Sequence, residues 1–212
     1  TRWQVLFGVN KSGSSITYVN EEFDKGGVLA QKAIQVKPSE TPQGLFYYLG
    51  LVSSNIIVPL LEKFANGEKV NPLQIGKKSK FSNYYSKWDW SIAKLLIDWN
   101  MSLYEIHFFV KANTQESFKY LGPIFTYKNQ KYFLRKTNIW PLDKTWQIPK
   151  NDNAKLKVVK RSKTSVYIWR KTEKYILEIL RIQSYNKFYF LNRSCTATKI
   201  INNQIGDEII LT

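Results

Sequence analysis

The chain holds one histidine and one cysteine among 212 residues, so imidazole chemistry and thiolate chemistry each rest on a single side chain, His107 or Cys195. An imidazole needs a partner that fixes its tautomer or takes its proton. In "LYEIHFFV" (103–110) strict alternation predicts a half-buried strand with Tyr104, Ile106, Phe108 and Val110 on one side and Glu105 and His107 on the other, which makes a polar face and no catalytic pair. Cys195 has no evident base beside it and fits a small apolar filler better than a nucleophile. A lone cysteine also excludes an intrachain disulfide and a cysteine-based zinc site. Carboxylates offer a third chemistry. "NEEFDKGG" brings together Glu21, Glu22, Asp24 and Lys25, and Asp89 and Asp98 flank an apolar segment; a metal-dependent nuclease needs little more, but the acidic-x-Lys strand pattern is absent. "GKKSK" lacks the preceding strand and the glycine spacing of a phosphate loop. These residues assign no catalytic group, no metal ligand and no cofactor, and they lean away from an enzyme.

A stronger pattern joins cations to aromatic rings. The segment "KLKVVKRSKTSVYIWRKTEKY" (155–175) contains eight Lys or Arg residues and still keeps β spacing. Leu156 and Val158 would face a core with Lys155 and Lys157 outward; Val166 and Ile168 would point inward, leaving Tyr167 and Trp169 on the exposed side. Cations neutralise phosphates, and rings offer a flat surface to bases or sugars. The candidate contacts are therefore Lys155, Lys157, Lys160, Arg161, Lys163, Arg170 and Lys171 for phosphates, with Tyr167 and Trp169 for stacking. Lys77, Lys78 and Lys80, ahead of Phe81, Tyr84 and Tyr85, form a second cluster. The competing reading is a solvated face, since strand lysines also deter edge-to-edge association.

The elements that would position these residues read as follows. "RWQVLFGV" and "SITYV" predict two strands around the turn "NKSGS", and "GGVLAQKAIQV" a third that ends at Pro38 to Pro42. Ile56, Ile57, Leu60, Leu61 and Phe64 have helical spacing, with Pro59 in the first turn and Gly67 at the end. A second helix is expected at 89–100, where Ile92, Leu95, Leu96 and Trp99 share a face. "IFTYKNQKYFLRK" reads as a hairpin with its tip at Lys128 to Lys131. Short strand signals then follow at 145–148, 155–159, 165–169, 175–182, 187–191, 197–201 and 208–211. The longest apolar stretches, "GLFYYLGLV" and "NIIVPLL", are each too short to cross a bilayer, so no transmembrane segment is expected.

Composition sets the class. Lys and Arg outnumber Asp and Glu by 32 to 16, and the excess is uneven: residues 1–100 hold 12 basic and 8 acidic residues, residues 101–212 hold 20 and 8. Such a balance calls for an acidic partner. The closing "NNQIGDEIILT" resembles the last turn and strand of small pseudobarrel nucleic-acid-binding domains, the plant B3-like group among them; the resemblance implies a barrel ending and identifies no family. The sequence thus predicts an α+β protein, with a mixed N-terminal part of two helices (1–140) and a basic β-rich part (141–212) forming a barrel or strongly curved antiparallel sheet, unless the two are one domain. The expected function is nucleic-acid binding through the basic, aromatic-lined β surface, DNA slightly ahead of RNA, with nucleic acid as partner in an intracellular setting. The alternatives are a viral coat or assembly protein that packages nucleic acid and a metal-dependent nuclease.

Overall fold

The computed structural model describes residues 1–22, 26–74, 95–114, 122–148, 155–185, 194–205 and 207–211. The chain divides into two compact units, Trp3–Lys87 and Trp88–Thr212. Half of the expected helix at 89–100 falls outside the described residues, and the described half is helical only at Leu95, with Leu96 bridged to Ile124. The expected strand 187–191 and Asp24, Lys25, Lys77, Lys78, Lys80 and Asp89 lie outside the described residues.

In the first unit, "RWQVL" is a short helix, α1 (Arg2–Leu6), where alternation predicted a strand. The hairpin pairs β1 (Lys11–Thr17) with β2 (Val28–Gln35), so the residues read as a turn, "NKSGS", lie in and around a strand. The helix α2 runs from Pro42 to Ala65. Its start is written locally: Thr41 accepts the Gly44 N–H at 3.1 Å, and Pro42 occupies a position where a missing N–H costs nothing. Pro59 is therefore mid-helix and not in the first turn; it leaves the Asn55 carbonyl without its helical donor. Leu45, Val52 and Leu60 form the buried stripe, and the hydroxyls of Ser53 and Ser14 of β1 meet at 2.5 Å. Phe46, Tyr47, Leu51, Val58 and Leu61 lie exposed, so α2 is apolar nearly all round. The two apolar stretches, read separately above, join into this one helix, which is long and apolar enough to cross a membrane by length and composition. One of its faces nevertheless lies on a hairpin whose Lys11, Gln31, Lys32 and Gln35 are exposed, a polar neighbour that bilayer hydrocarbon disfavours.

The second unit is a sheet covered on one face by a helix, α3 (Leu103–Asn113). Here "LYEIHFFV" is helical, contrary to the expected strand. Two signals decide it: Ser102 and Glu105 form a reciprocal capping box, and the buried set Leu103, Ile106, His107 and Val110 follows the helical stripe as well as alternation follows a strand. The strands are β3 (Ile124–Tyr127), β4 (Gln130–Pro141), β5 (Lys157–Arg161), β6 (Val166–Trp169), β7 (Tyr175–Ser184) and β8 (Cys195–Thr196). Their order is β3-β4-β7-β6-β5, with β8 also on β7. The hairpin tip is Lys128–Asn129, both left-handed at φ 49° and 61°, the turn whose twist suits a two-residue β connection. Gly122, at φ +99°, is required: a Cβ there would stand 2.6 Å from the Leu134 carbonyl oxygen.

The sheet is open. Among the described residues β3 and β5 end it and do not pair with each other, so the expected barrel is not formed. Residues 197–199 are a 3-10 turn and not a strand. The C-terminal segment lies beside β5, with the Ile209 N–H on the Leu156 carbonyl at 2.9 Å, and closes nothing. The residues expected as a strand at 145–148 form a turn. The core between α3 and the sheet joins Leu103, Ile106, Val110, Leu134, Ile168 and Leu177, each buried side chain contributing about 1.5–3 kcal/mol. β4 carries the sheet continuously through residue 140.

Candidate functional site

The sheet face turned away from α3 gathers the polar and aromatic groups. Thr137 points to α3, where its hydroxyl lies 3.0 Å from Nδ1 of His107; its neighbour Asn138, whose amide reaches the Glu178 carboxylate, points the other way. On that face one row crosses three strands in register: Asn138 opposite Glu178, and Glu178 opposite Tyr167. Tyr167 in turn faces Lys160 of β5. Glu178 is 5% exposed and is the hub. Its Oε2 accepts from Asn138 Nδ2 and Trp140 Nε1, both at 2.9 Å, and its Oε1 accepts from the Tyr167 hydroxyl at 2.8 Å.

Burial pushes the Glu178 carboxyl up, but hydrogen bonds from Asn138, Trp140, Tyr167 and Ser165 outweigh that and hold it below the usual range. The partner phenol moves the other way. Burial, then the Glu178 bond and charge, push Tyr167 up to about 12, so it remains a neutral donor. Lys160 Nζ sits 5.3 Å over the Trp146 ring and 5.4 Å over the Tyr167 ring, a cation–π arrangement on two sides. This cluster orients groups: its carboxylate is saturated with donors and its phenol does not ionise at neutral pH. Among the described residues no three His, Cys, Asp or Glu side chains come together to hold a metal.

The residues singled out in the sequence distribute unevenly. Lys155 pairs with Glu208 at 2.9 Å. Arg161 donates to the carbonyls of Ile201 and Asn203 at 2.9 and 2.6 Å. Arg170 donates to the carbonyls of Trp99 and Met101, each at 2.6 Å, and to Glu173 at 2.8 Å. Lys157 lies in β5 opposite Trp169, and Lys163 and Lys171 are exposed. Trp169, expected outward, is 6% exposed, with Nε1 on the Glu173 carbonyl at 3.1 Å. The reason is a second small core: Val159, Trp169 and Ile176 are covered by Leu142, Trp146 and Ile148, so this end of the sheet is buried on both faces. His107 is buried between α3 and β4. Desolvation, then the Lys111 charge, lower it to about 4, leaving a neutral ring at physiological pH. Glu178, Asn138 and Trp140 were not singled out, although a lone acid inside the apolar run "YILEILRI" was a legible signal.

Comparison with known proteins gives similarities that agree with one another. Residues 1–57 match a family profile described as formyl transferase. A methionyl-tRNA formyltransferase from Coxiella burnetii is 32% identical over 110 residues, covering 51% of this chain and 33% of that protein. One from Prochlorococcus marinus is 29% identical over 116 residues, 50% of this chain and 33% of its own. The chain thus spans about a third of the length of these relatives. Among solved structures, HypX from Aquifex aeolicus in complex with tetrahydrofolic acid aligns with a TM-score of 0.55 at 15% identity, over 94% of this chain and 31% of that one. The N-formyltransferase from Helicobacter canadensis, solved with folinic acid and dTDP-3-aminofucose, aligns at 0.58 and 15%, over 86% and 59%. These findings overturn the barrel and the nucleic-acid-binding, coat and nuclease readings: the described sheet is open, and the similarities in sequence and fold point to an enzyme class that none of those readings contains. The fold is formyltransferase-like.

Proposed function

We propose that this protein acts in formyl transfer, passing a formyl group from a folate carrier to an amine borne on a nucleotide-linked acceptor. One observation carries the reading: sequence similarity over about half of the chain and fold similarity over most of it lead separately to the same enzyme class. The acceptor class follows from the relatives, where one name specifies methionyl-tRNA and one structure holds an aminosugar joined to dTDP. Both are amines on a phosphate-bearing nucleotide. A net charge of +16 suits such an anionic substrate, and an intracellular setting goes with it.

In this reaction the amine nitrogen attacks the formyl carbon, the carbon–nitrogen bond to the folate breaks, and the proton shed by the amine ends on the folate nitrogen. Nothing is oxidised or reduced. The attacking amine must be uncharged, so its ammonium proton has to leave first. Glu178, Tyr167 and His107 do not take that proton: Glu178 is saturated with donors, Tyr167 stays neutral, and His107 is enclosed. Equilibrium titration of the natural polypeptide carrying this sequence with folinic acid tests the reading. Saturable binding that tetrahydrofolate displaces is expected, and the absence of any folate binding by the folded protein contradicts it.

A further inference from the structure

Lys136 and Arg181 are directly paired across β4 and β7. Both are exposed. Directly opposed like charges destabilise a sheet, and Arg181 has no strand edge to protect, because β7 pairs at this position with both β4 and β8. Among the described residues neither cation forms an ion pair or a hydrogen bond. The nearest acid along the strand, Glu178, gives its oxygens to Asn138, Trp140 and Tyr167. The backbone around the pair is also particular. Register shifts on either side of Lys136 mark bulges, devices that re-aim side chains. Opposite residues on one sheet face have Cβ atoms about 5 Å apart, a spacing that lets two cations take neighbouring phosphates of one diphosphate.

From this we infer that Lys136 and Arg181 form an anion site for the diphosphate of a nucleotide ligand, on the exposed surface of the β4–β7 pair. The inference rests on the proposed function for the identity of that nucleotide as the acceptor's carrier, but the site itself stands on the paired cations. Each cation neutralises one phosphate, so binding weakens with salt, and occupancy relieves the cross-strand repulsion.

Calorimetric titration with dTDP and with inorganic pyrophosphate at low salt tests the site without any formyl transfer. Both probes are expected to bind the wild-type protein. The Lys136→Gln, Arg181→Gln double variant is expected to lose at least tenfold in affinity for each, while Lys144→Gln, which removes an exposed cation elsewhere, leaves affinity unchanged. A double variant that is folded by circular dichroism and binds like wild type overturns the inference. So does a wild-type protein that binds neither probe, or an equal loss in Lys144→Gln, which would reduce the effect to overall charge. Folate binding that persists in the double variant separates failure of this site from failure of the formyl-transfer reading.

Discussion

His107 occupies a place where a proton is unwelcome. Its ring is 5% exposed, meets the Thr137 hydroxyl at 3.0 Å and packs edge-on against Phe108. Its folded pKa of about 4 lies below the ordinary value near 6.5, so the unfolded chain binds a proton first as pH falls. Stability is therefore fully present above about pH 6.5 and declines between there and pH 4, by about 3 kcal/mol for this group alone. Denaturant titrations across that window should show the slope in the wild type and a flattened one in His107→Gln, which can still hydrogen-bond Thr137. An unchanged slope in the variant would assign the pH dependence elsewhere. Glu178 has the opposite consequence at lower pH. Its folded pKa is depressed, so its contribution is present above the ordinary carboxyl value near 4.3 and is lost as pH falls through the folded value. Glu178→Gln should remove about 1–3 kcal/mol at neutral pH by weakening the bonds to Trp140, Asn138 and Tyr167, measured by chemical denaturation.

Helix α3 shows at the scale of elements what its capping contributes. Ser102 accepts the Glu105 N–H at 3.2 Å while Glu105 accepts the Ser102 N–H at 2.9 Å; Ser102→Ala should cost roughly 0.5–2 kcal/mol. In α2 two adjacent leucines separate the packed stripe from the exposed one. Leu60→Ala should cost about 2–5 kcal/mol and Leu61→Ala far less, and comparable losses would contradict the helix orientation. Some of this was legible in the sequence. The β3–β4 hairpin announced itself through "YKNQKY", where polar residues interrupt two apolar runs, and the core positions Leu156, Val158, Val166 and Ile168 followed from alternation. The helix at 103–113 was misread because "LYEIHFFV" satisfies both periods, and the capping serine just before it carried the deciding information. Trp169 was misread for another reason: alternation gives the face, but whether residues 142–148 cover that face is a tertiary matter. Barrel closure was not legible either, because it depends on whether two strands distant in sequence, β3 and β5, pair.

For the whole molecule, the excess of cations in residues 101–212 was read as a nucleic-acid footprint, and part of it proved engaged within the fold. Arg161 and Arg170 hold backbone carbonyls, and Lys160 rests on two rings. Charge density along a sequence says that anions are attracted; it does not say whether the cations are already engaged or what reaction the anion undergoes. Nor could the few histidines, cysteines and carboxylates have named the proposed chemistry, since an amine that attacks a carrier-borne formyl group is itself the nucleophile. The central claim is that this protein belongs to one-carbon transfer, and mass spectrometry tests it most directly. The natural polypeptide carrying this sequence is incubated with a formylated tetrahydrofolate and, separately, with methionyl-tRNA or a dTDP-linked aminosugar. The account predicts that one of these acceptors gains a formyl group on its amine, in proportion to enzyme and only with the folate donor present. Folded protein that binds folate and acceptor yet leaves every amine unmodified, at any pH where the amine is uncharged, would contradict it.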